Sequence, residues 1–321
     1  MVSEALKHMQ YALDIVSKSP HPTNKIAATI FGTNNAGQDF SISDTNHWPD
    51  SIYEKIGTKT KIGNSSGTIH AETACILNAP FATEGSSICI TDPFCPNCAK
   101  NIAEAGIKNI YLDEEGFDKD FFKRRGDHFD RMSMQIAQRA GINVFGLNML
   151  TKKKRNILEV SPDYQPIEDS PIIAEPIESA NEGVFFDIIE EATMKNQRRK
   201  FVVALVQTPR GQNMALIARA HAVVGYSLHK PEEALDLLTP RGKYSFIQEP
   251  VNRLTMYLAR KGHKLHQNYL YCSQVPTARE QVNLVGGGFK RITIGNLQKS
   301  RDPEGIKAME QLKRLDILDY T

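Results

Sequence analysis

The chain has 321 residues, of which 40% are hydrophobic, and its 39 Lys and Arg residues nearly balance 37 Asp and Glu residues. This length is sufficient for two domains that each bury a core, and a formal net charge of +2 indicates no general affinity for polyanions such as nucleic acids. No apolar run approaches the roughly 20 residues that cross a bilayer, and five cysteines fit a reducing compartment better than a disulfide framework, so a cytoplasmic protein without a membrane partner is expected.

Residues 1–150 alternate between strand and helix patterns, which predicts one layered α/β domain. An amphipathic helix is expected over residues 3–18, and an apolar, β-branched strand runs from Lys25 to Phe31 and ends at Gly32. The other predicted strands are 39–43, 87–91, 109–112 and 143–147, and the other predicted helices are 68–78, 95–105 and 120–140.

Metal-binding residue types stand at the starts of two of these helices. His70 and Glu72 lie in the first turn of one helix, and Cys95 and Cys98 lie in the first turn of the next. Helix N-termini favour thiolates, and one imidazole with two thiolates can hold Zn²⁺ with one coordination position open. Zinc lowers the pKa of a bound water to about 7, and Glu72 remains free to carry protons. The pattern therefore favours hydrolytic chemistry at an electron-poor carbon.

Two other interpretations of this pattern stay open. A Cys-x-x-Cys pair in a chain with five cysteines is also typical of a redox pair or of half of a structural zinc site. A structural site needs a fourth protein ligand, and Cys75 is the nearest candidate. Cys75 follows His70 by nearly one and a half turns of the same predicted helix, so it is rotated away from the histidine.

These residues also carry a family resemblance. The segment from His70 to Glu72, followed by the segment from Cys95 to Cys98, resembles the H-x-E…P-C-x-x-C signature of zinc-dependent nucleobase deaminases. On this signature the chain is similar to the cytidine deaminase-like superfamily over roughly residues 20–150.

Two further segments and one departure refine the resemblance. Residues 105–111 and 140–144 look most like the cytidine/deoxycytidylate deaminase branch. The family proline normally precedes the first cysteine directly, but Phe94 holds that place here and Pro93 lies one residue earlier. The departure concerns the wall of the expected pocket more than the metal site.

The resemblance implies a fold and a set of roles. The implied fold is a three-layer α-β-α cytidine deaminase-like sandwich around a mixed five-stranded sheet. The implied zinc ligands are His70, Cys95 and Cys98. Glu72 would carry protons from the attacking water to the ring nitrogen and to the departing ammonia.

Substrate contacts are expected near the loop after the second strand. Asn46 is similar to an asparagine that contacts the base in relatives, although an exposed turn asparagine is the alternative. Ala71, beside the first zinc ligand, is expected in the same site. Trp48, the one tryptophan, is available to stack on a heterocycle or to pack the loop against the domain. Basic side chains available to a substrate phosphate, or simply solvated, are Lys55, Lys59, Lys61, Arg124, Arg125 and His128.

Residues 151–182 break the alternation of strands and helices. A basic run from Lys152 to Arg155 opens a proline-containing segment with scattered acids and no periodicity, which predicts a linker or a wrapping strap. The basic run is also typical of a nuclear address or a nucleic-acid contact, and a solvated domain edge is the simpler interpretation.

Residues 183–321 resemble a degenerate second copy of the first domain. Residues 200–206 align with 25–31, and residues 288–292 align with 106–110, at offsets of 175 and 182. The chain is therefore expected to contain the sandwich in tandem. An unrelated α/β domain with similar strand patterns is the alternative.

The second copy is expected to lack the metal. The two offsets place any counterpart of His70 within 245–252, where no histidine or cysteine occurs. The residues aligned with the two motif cysteines are Thr277 and Glu280, which cannot supply two thiolates. We therefore expect about one zinc per chain. The second copy would form an intramolecular pseudo-dimer and serve a structural, regulatory or pocket-lining role, and a homo-oligomer is also possible.

Three classes of function fit these observations. The leading one is a zinc-dependent hydrolase that deaminates a free pyrimidine nucleoside or nucleotide of the cytidine or deoxycytidylate type and releases ammonia. The second is a deaminase of another amino-heterocycle, such as a purine base or a riboflavin-pathway pyrimidine. The third is a non-catalytic tandem scaffold that binds a nucleotide, although a structural zinc site has no need of Glu72. The near-neutral charge disfavours a stable nucleic-acid partner.

Overall fold

The computed structural model describes residues 2–34, 36–123, 126–196, 199–229, 237–239 and 244–321. Its helices are α1 (Val2–Val16), α2 (Asp50–Lys55), α3 (Ala71–Leu77), α4 (Pro96–Glu104), α5 (Asp120–Lys123), α6 (Gly126–His128), α7 (Met134–Arg139), α8 (Glu182–Lys195), α9 (Pro250–Lys261), α10 (Ala278–Gly286) and α11 (Pro303–Arg314). Its strands are β1 (Ala27–Thr33), β2 (Asp39–Thr45), β3 (Ser87–Ile90), β4 (Asn109–Asp113), β5 (Asn143–Asn148), β6 (Lys153–Leu158), β7 (Ile173–Pro176), β8 (Phe201–Gln207), β9 (Asn213–Arg219), β10 (His221–Ala222), β11 (Ile247–Gln248), β12 (Lys264–Cys272), β13 (Arg291–Ile294) and β14 (Asp319–Tyr320).

These elements fall into two units, each with its own sheet. Unit 1 comprises Met1–His47, His70–Asp169 and Ala222–Gln248. Unit 2 comprises Trp48–Ile69, Ser170–His221 and Glu249–Thr321. None of the helices in the described ranges has the length and the apolar character needed to cross a membrane.

The sheet of unit 1 has the order β2-β1-β3-β4-β5-β6 in the described part of the chain. Strand β1 is antiparallel to β2 and β3, whereas β3, β4 and β5 are parallel to one another. Parallel strands are buried on both faces, which explains why β3 and β4 are almost continuous apolar runs. The five predicted strands are present, and β6 extends the sheet along β5.

Helices cover both faces of this sheet. Helix α1 packs on one face, where Met9 lies in a buried cluster with Phe31 and Tyr111. Because side chains alternate along a strand, the neighbouring residues Ile30 and Ile110 face the opposite side, and both are fully buried. Helix α3 packs on β1 and β2, and α4 packs on α3 and α7. The result is the expected three-layer α-β-α sandwich.

The single helix predicted over 120–140 is interrupted in the structure. Helices α5 and α6 are followed by a π-helical turn, Phe129–Ser133, and then by α7. A π-turn inserts one extra residue into the helix and so changes which side chains face inward. Here it accompanies the burial of Phe129 in a cluster of aromatic rings, which helical periodicity alone does not reveal. The rings packed edge to face against Phe129 are Phe94, Phe117 and Phe122.

The sheet of unit 2 repeats the topology of unit 1. Its described strands have the order β14-β13-β12-β8-β9-β7. Strand β8 is antiparallel to β9 and β12, and β12, β13 and β14 are parallel. The strand sequence β9-β8-β12-β13-β14 therefore matches β2-β1-β3-β4-β5 in both order and direction. The predicted duplication is confirmed by this topology.

The segment predicted as a linker supplies an edge strand to each sheet. Strand β6 pairs with β5 in unit 1, and β7 pairs with β9 in unit 2. The basic run lies at the start of β6, where Arg155 Nε is 3.1 Å from Glu114 Oε1 and the Lys154 ammonium lies over the Phe145 ring. Lysines on an exposed edge strand are a common protection against edge-to-edge pairing, so the run has a structural explanation.

Corresponding segments of the two sequence halves are exchanged between the units. Residues 48–69 follow β2 and precede α3, yet they belong to unit 2. Residues 222–248 follow β9 and precede α9, yet they belong to unit 1. Each unit is therefore completed by the loop that the other half of the sequence provides.

Candidate metal centre

Two helix N-termini place the predicted metal ligands together. His70 is the N-cap residue of α3, and Cys95 is the N-cap residue of α4, where Pro96 occupies the first turn. Both N-cap residues have an extended backbone, and neither side chain caps its own helix. Their side chains are therefore available to a ligand, and Cys98 joins them from the third position of α4.

The candidate ligand atoms lie close to the spacing that a zinc site requires. The Nδ1 atom of His70 is 3.1 Å from Cys98 Sγ and 3.6 Å from Cys95 Sγ, and the two sulfurs are 3.6 Å apart. A tetrahedral zinc with ligands at about 2.0 to 2.3 Å separates its ligand atoms by roughly 3.5 to 3.8 Å. Two of the three separations match this range, and the third is slightly shorter. Among the described residues, this is the one group of metal-ligating side chains whose ligand atoms all lie within 4.8 Å of one another.

The two thiols differ in their affinity for a proton. A hydrogen bond from Cys98 lowers the pKa of the Cys95 thiol in opposition to burial, and the His70 imidazole lowers it further. Burial raises the pKa of the Cys98 thiol, and the neighbouring Cys95 adds to that increase. A bound metal cation deprotonates a thiol that coordinates it, so both sulfurs can become thiolate ligands.

Glu72 lies beside the metal ligands but outside their group. It occupies the first turn of α3, and it is only 3% exposed. Burial raises the pKa of its carboxyl, while the His70 imidazole opposes that increase. A carboxyl with a raised pKa can both accept and donate a proton near neutral pH, which is the property required of a general acid and base.

A small cavity of about 30 Å³ adjoins Cys95. Its wall includes Phe94, His128 and Tyr244, and the rings of His128 and Tyr244 meet edge to face with centroids 5.2 Å apart. His128 is thus placed near the metal ligands, whereas Arg124 and Arg125 lie outside the described residues. The metal-binding motif does not predict that Tyr244 lies near Cys95. Tyr244 belongs to the exchanged segment 222–248, and no local sequence pattern connects that segment with the motif.

A larger cleft of about 720 Å³ is lined by the segment before β1 and by residues that follow β3 and β4. Asp92 lines it three positions before Cys95, and its carboxylate pairs with Lys119 at 2.7 Å. Burial raises the pKa of Asp92, and Lys119 opposes that increase. Ligands of α/β sheets bind beyond the carboxyl ends of the strands. Asp92, which follows the predicted strand 87–91, could therefore have indicated this cleft from the sequence.

The structure places Asn46 and Ala71 in unit 1. Asn46 is buried, and its Oδ1 accepts hydrogen bonds from the Ile26 N–H and the Ser19 hydroxyl, while its Nδ2 donates to the Asn24 carbonyl. The asparagine thereby holds the backbone that leads into β1 beside the cleft. Ala71 is fully buried as the first residue of α3.

Trp48 and the loop lysines belong to unit 2. Trp48 is 5% exposed within the hydrophobic core of that unit, and its indole N–H donates to the Ser66 carbonyl at 3.1 Å. Lys55 donates to the carbonyl oxygens of Leu315 and Asp316. The structure thus brings together His70, Glu72, Cys95 and Cys98, and it places Trp48 in a packing role.

The corresponding helix N-termini of unit 2 hold an ion-pair cluster. Glu249 is the N-cap residue of α9, and Thr277 and Glu280 form a capping box at the start of α10. The Lys200 ammonium lies 3.2 Å from Glu249 Oε2 and 2.8 Å from Glu280 Oε2, and Arg301 pairs with Glu249. We refer to Lys200, Glu249, Glu280 and Arg301 as the Lys200 cluster.

Comparisons with known proteins identify relatives of the part of the chain that contains the candidate metal ligands. A family model described as the cytidine and deoxycytidylate deaminase zinc-binding region matches residues 2–114. A protein of Aliivibrio fischeri named "Uncharacterized deaminase in luxG 3'region" is 30% identical over 145 residues, which is 45% of this chain and 94% of that protein.

Two solved structures are similar to part of the chain. Both are of dCMP deaminase from the cyanophage S-TIM5. The complex with dCMP and dUMP is 22% identical with a TM-score of 0.32, and the match covers 44% of this chain and 94% of that one. The apo form is 21% identical with a TM-score of 0.30, and the match covers 45% of this chain and 98% of that one.

Proposed function

Because the chain belongs to the cytidine and deoxycytidylate deaminase family and is a hydrolytic deaminase, we propose that it uses zinc to remove the amino group of a free pyrimidine nucleoside or nucleotide. The observation that carries this proposal is the meeting of His70, Cys95 and Cys98 at two helix N-termini, with Glu72 buried beside them. One imidazole nitrogen and two sulfurs form a donor set that catalytic zinc accepts. A zinc ion held by only three protein ligands would still be able to bind water.

Each residue of the site has a chemical task. Zinc held by His70, Cys95 and Cys98 would supply a Lewis acid that lowers the pKa of water to about 7. The Glu72 carboxylate takes a proton from the attacking water and passes it to the ring nitrogen beside the amine-bearing carbon. Glu72 then takes the second proton of that water from the hydroxyl group added to the carbon and gives it to the departing amine as the C=O bond forms and the C–N bond breaks. One water is consumed, the C–NH₂ group becomes C=O, and ammonia leaves.

We take the large cleft, which Asp92 lines three positions before Cys95, as the candidate substrate site, and its charge favours a small substrate. The cleft carries the cations Lys25 and Lys119 together with three carboxylates, Asp92, Asp118 and Asp120. A nucleic-acid strand requires a basic channel, because phosphate neutralisation supplies much of its binding free energy. A cleft of mixed charge, in a chain with a formal net charge of only +2, fits a single nucleoside or nucleotide better.

A substrate panel tests the proposal. The zinc-loaded protein is incubated with deoxycytidylate, cytidine, guanine, an aminopyrimidine of the riboflavin pathway and a single-stranded oligonucleotide, and ammonia and product mass are measured. We expect turnover of a free pyrimidine nucleoside or nucleotide. Preferential turnover of the oligonucleotide, with a steep dependence on salt, would contradict the proposed substrate class.

Glu72 gives the sharpest test of the mechanism. Glu72→Ala should keep the bound zinc and lower kcat by about 10²- to 10⁴-fold, because general acid-base catalysis is lost. Val251→Ala is the matched control, since Val251 occupies the same helix position in α9 that Glu72 occupies in α3. The control should retain kcat. Unchanged kcat in Glu72→Ala would remove Glu72 from the mechanism.

A further inference from the structure

A buried chain of amide and hydroxyl groups in unit 1 links the exchanged segment 222–248 to helices α4 and α3. Gln248 Nε2 donates to Asn101 Oδ1 at 2.6 Å, and Asn101 Nδ2 donates to Thr73 Oγ1 at 3.0 Å. The three residues are 1%, 3% and 2% exposed, respectively. Hydrogen bonds between fully buried side chains fix geometry strongly, because breaking one leaves a polar group without water. We refer to these residues as the Gln248 chain.

The Gln248 chain joins the two helices that carry the proposed chemistry. Thr73 directly follows Glu72 in α3, and Asn101 lies about one turn beyond Cys98 in α4. Gln248 ends strand β11 in the exchanged segment of unit 1. The distance between α3 and α4 is thus tied to a residue from the second half of the sequence.

A second bond anchors the same segment. The buried Lys100 ammonium, on α4, donates to the carbonyl oxygen of Ile247 at 2.8 Å. The backbone that carries Gln248 is therefore held independently of its side chain. A substitution that removes only the Gln248 amide should leave the segment in place.

Unit 2 contains a counterpart of the Asn101–Thr73 hydrogen bond but no counterpart of Gln248. Asn283 Nδ2, on α10, donates to Asn252 Oδ1, on α9, at 3.0 Å. Asn283 and Asn252 occupy the helix positions that Asn101 and Thr73 occupy in unit 1. The residue that corresponds to Gln248 is Ile69, which directly precedes the N-cap of α3 and belongs to unit 2. An isoleucine side chain cannot extend the chain of hydrogen bonds, so the glutamine is found on the side of the metal ligands.

From this difference we propose that Gln248 is a positioning residue for Glu72, acting through Asn101 and Thr73 to hold α3 at a fixed distance from α4. The inference rests on the proposed function of Glu72 as the proton carrier. A proton carrier must stay within hydrogen-bond reach of its partners, and a displacement of about 1 Å can lower the rate by about 10²-fold. In unit 2 the corresponding helices α9 and α10 are joined by the asparagine pair without a counterpart of Gln248.

Gln248→Leu in the full-length, zinc-loaded protein tests the proposal. Leucine has a similar volume but leaves Asn101 Oδ1 without its donor. We expect kcat per bound zinc to fall about 10-fold or more, with KM nearly unchanged, because the candidate metal ligands and the residues that line the large cleft are not altered. Asn283→Leu is the matched control, since it removes a buried amide at the equivalent pair of unit 2. It should lower stability and leave kcat per zinc within about twofold of the wild type.

A double-mutant cycle tests whether Gln248 acts through Thr73. Thr73→Val should lower kcat per zinc by a factor similar to that of Gln248→Leu, and the double variant should be no slower than the slower single variant, because both substitutions break one chain. Multiplying effects would overturn the proposed route. Equal kcat per zinc in Gln248→Leu and Asn283→Leu would overturn the positioning role itself.

Hydrogen exchange gives a measurement that does not depend on activity. In Gln248→Leu, the amides of residues 74–77 in α3 should exchange about 10-fold faster, whereas in Asn283→Leu they should exchange as in the wild type. Unchanged exchange over residues 74–77 in Gln248→Leu would contradict the inference. If the wild type releases ammonia from no substrate while the exchange difference is present, the proposed function fails and the positioning of α3 stands.

Discussion

The two units place different chemistry at the same two helix N-termini. In unit 1 the N-caps of α3 and α4 are His70 and Cys95, and the third residue of α4 is Cys98. In unit 2 the corresponding positions of α9 and α10 hold Glu249, Thr277 and Glu280. The first set suits a divalent metal ion, and in the second set Glu249 and Glu280 pair with the Lys200 ammonium.

The zinc that we propose for unit 1 and the Lys200 ammonium of unit 2 would each place a cation at these helix N-termini, so the fold itself does not require a metal there. In unit 2 two carboxylates and one ammonium occupy this place, and the chain itself supplies all three groups. Catalysis needs more than a cation, because a base must stand beside an open coordination position. Unit 2 has Val251 at the helix position of Glu72, so it keeps the framework and lacks the carboxylate that we propose as the proton carrier.

The largest expected effect comes from separating the units. A fragment of residues 1–150 lacks Ala222–Gln248, which belongs to unit 1, and it exposes the apolar side chains of Trp48, Ile52 and Ile62, which are buried in the core of unit 2. Each such side chain contributes roughly 1.5 to 3 kcal/mol when buried, so the fragment should aggregate, as light scattering can show. Coexpression with residues 151–321 is the control and should restore a soluble species. A stable, active monomer of residues 1–150 would show that unit 1 does not need the exchanged segments in order to fold and function.

The exchange also marks the limit of what the sequence could predict. The five strands of unit 1 and the motif were predictable because apolar runs and helix starts are local patterns. Residues 48–69 carry no local sign of the sheet that they join, so the sequence left two roles for Trp48, and the structure places it in the core of unit 2. For the same reason Tyr244 and Gln248 could not be assigned to the unit of the metal ligands.

The Lys200 cluster was predictable only in part. The alignment offsets located Thr277 and Glu280 and showed that no thiolate pair exists there. They did not reveal Lys200 and Arg301, because these residues come from separate stretches of the chain and meet Glu249 only in the folded unit. Contacts of this kind depend on the packing of distant elements.

Removal of one proposed metal ligand tests whether unit 1 alone binds zinc. The wild type should contain about one zinc per chain, and Cys98→Ala should lose both the zinc and the activity, because three ligands become two. Cys89→Ala, which changes a buried thiol on β3 away from the ligand group, is the control and should keep the zinc. Elemental analysis measures both. Two tightly bound zinc ions per wild-type chain would show that unit 2 also holds a metal.

Removal of the ammonium should affect stability and leave the zinc in place. Lys200→Met leaves the buried carboxylates of Glu249 and Glu280 without their shared partner, and breaking a buried ion pair in this way costs about 3 to 5 kcal/mol of the free energy of unfolding. Lys195→Met removes an exposed ion pair with Glu191 and should cost no more than about 1 kcal/mol. Urea denaturation measures the difference. Equal urea midpoints for the two variants would mean that the Lys200 ammonium does not stabilise unit 2.

The smallest expected effect is the response of the Lys200 cluster to acid. Burial by itself would raise the pKa of the Glu249 carboxyl, but the charges of Lys200 and Arg301 outweigh burial and hold that pKa below its ordinary value. A carboxyl whose pKa is lowered on folding contributes stability that is fully present above the unfolded pKa and is lost as the pH falls through the folded pKa, and each unit of lowering is worth about 1.4 kcal/mol.

Comparison of the wild type with Glu249→Gln tests this contribution. The variant cannot ionise at position 249, so the wild type should be more stable at pH 7, and its advantage should shrink as the pH falls below about 4, the range in which an ordinary glutamate is protonated. Urea midpoints at pH 3 to 7 measure the trend, and bound zinc at pH 7 should be the same in both proteins. A stability advantage of the wild type that is independent of pH would show that Glu249 stabilises unit 2 by packing and not by its charge. The Lys200 ammonium could then not be compared with a metal ion on electrostatic grounds.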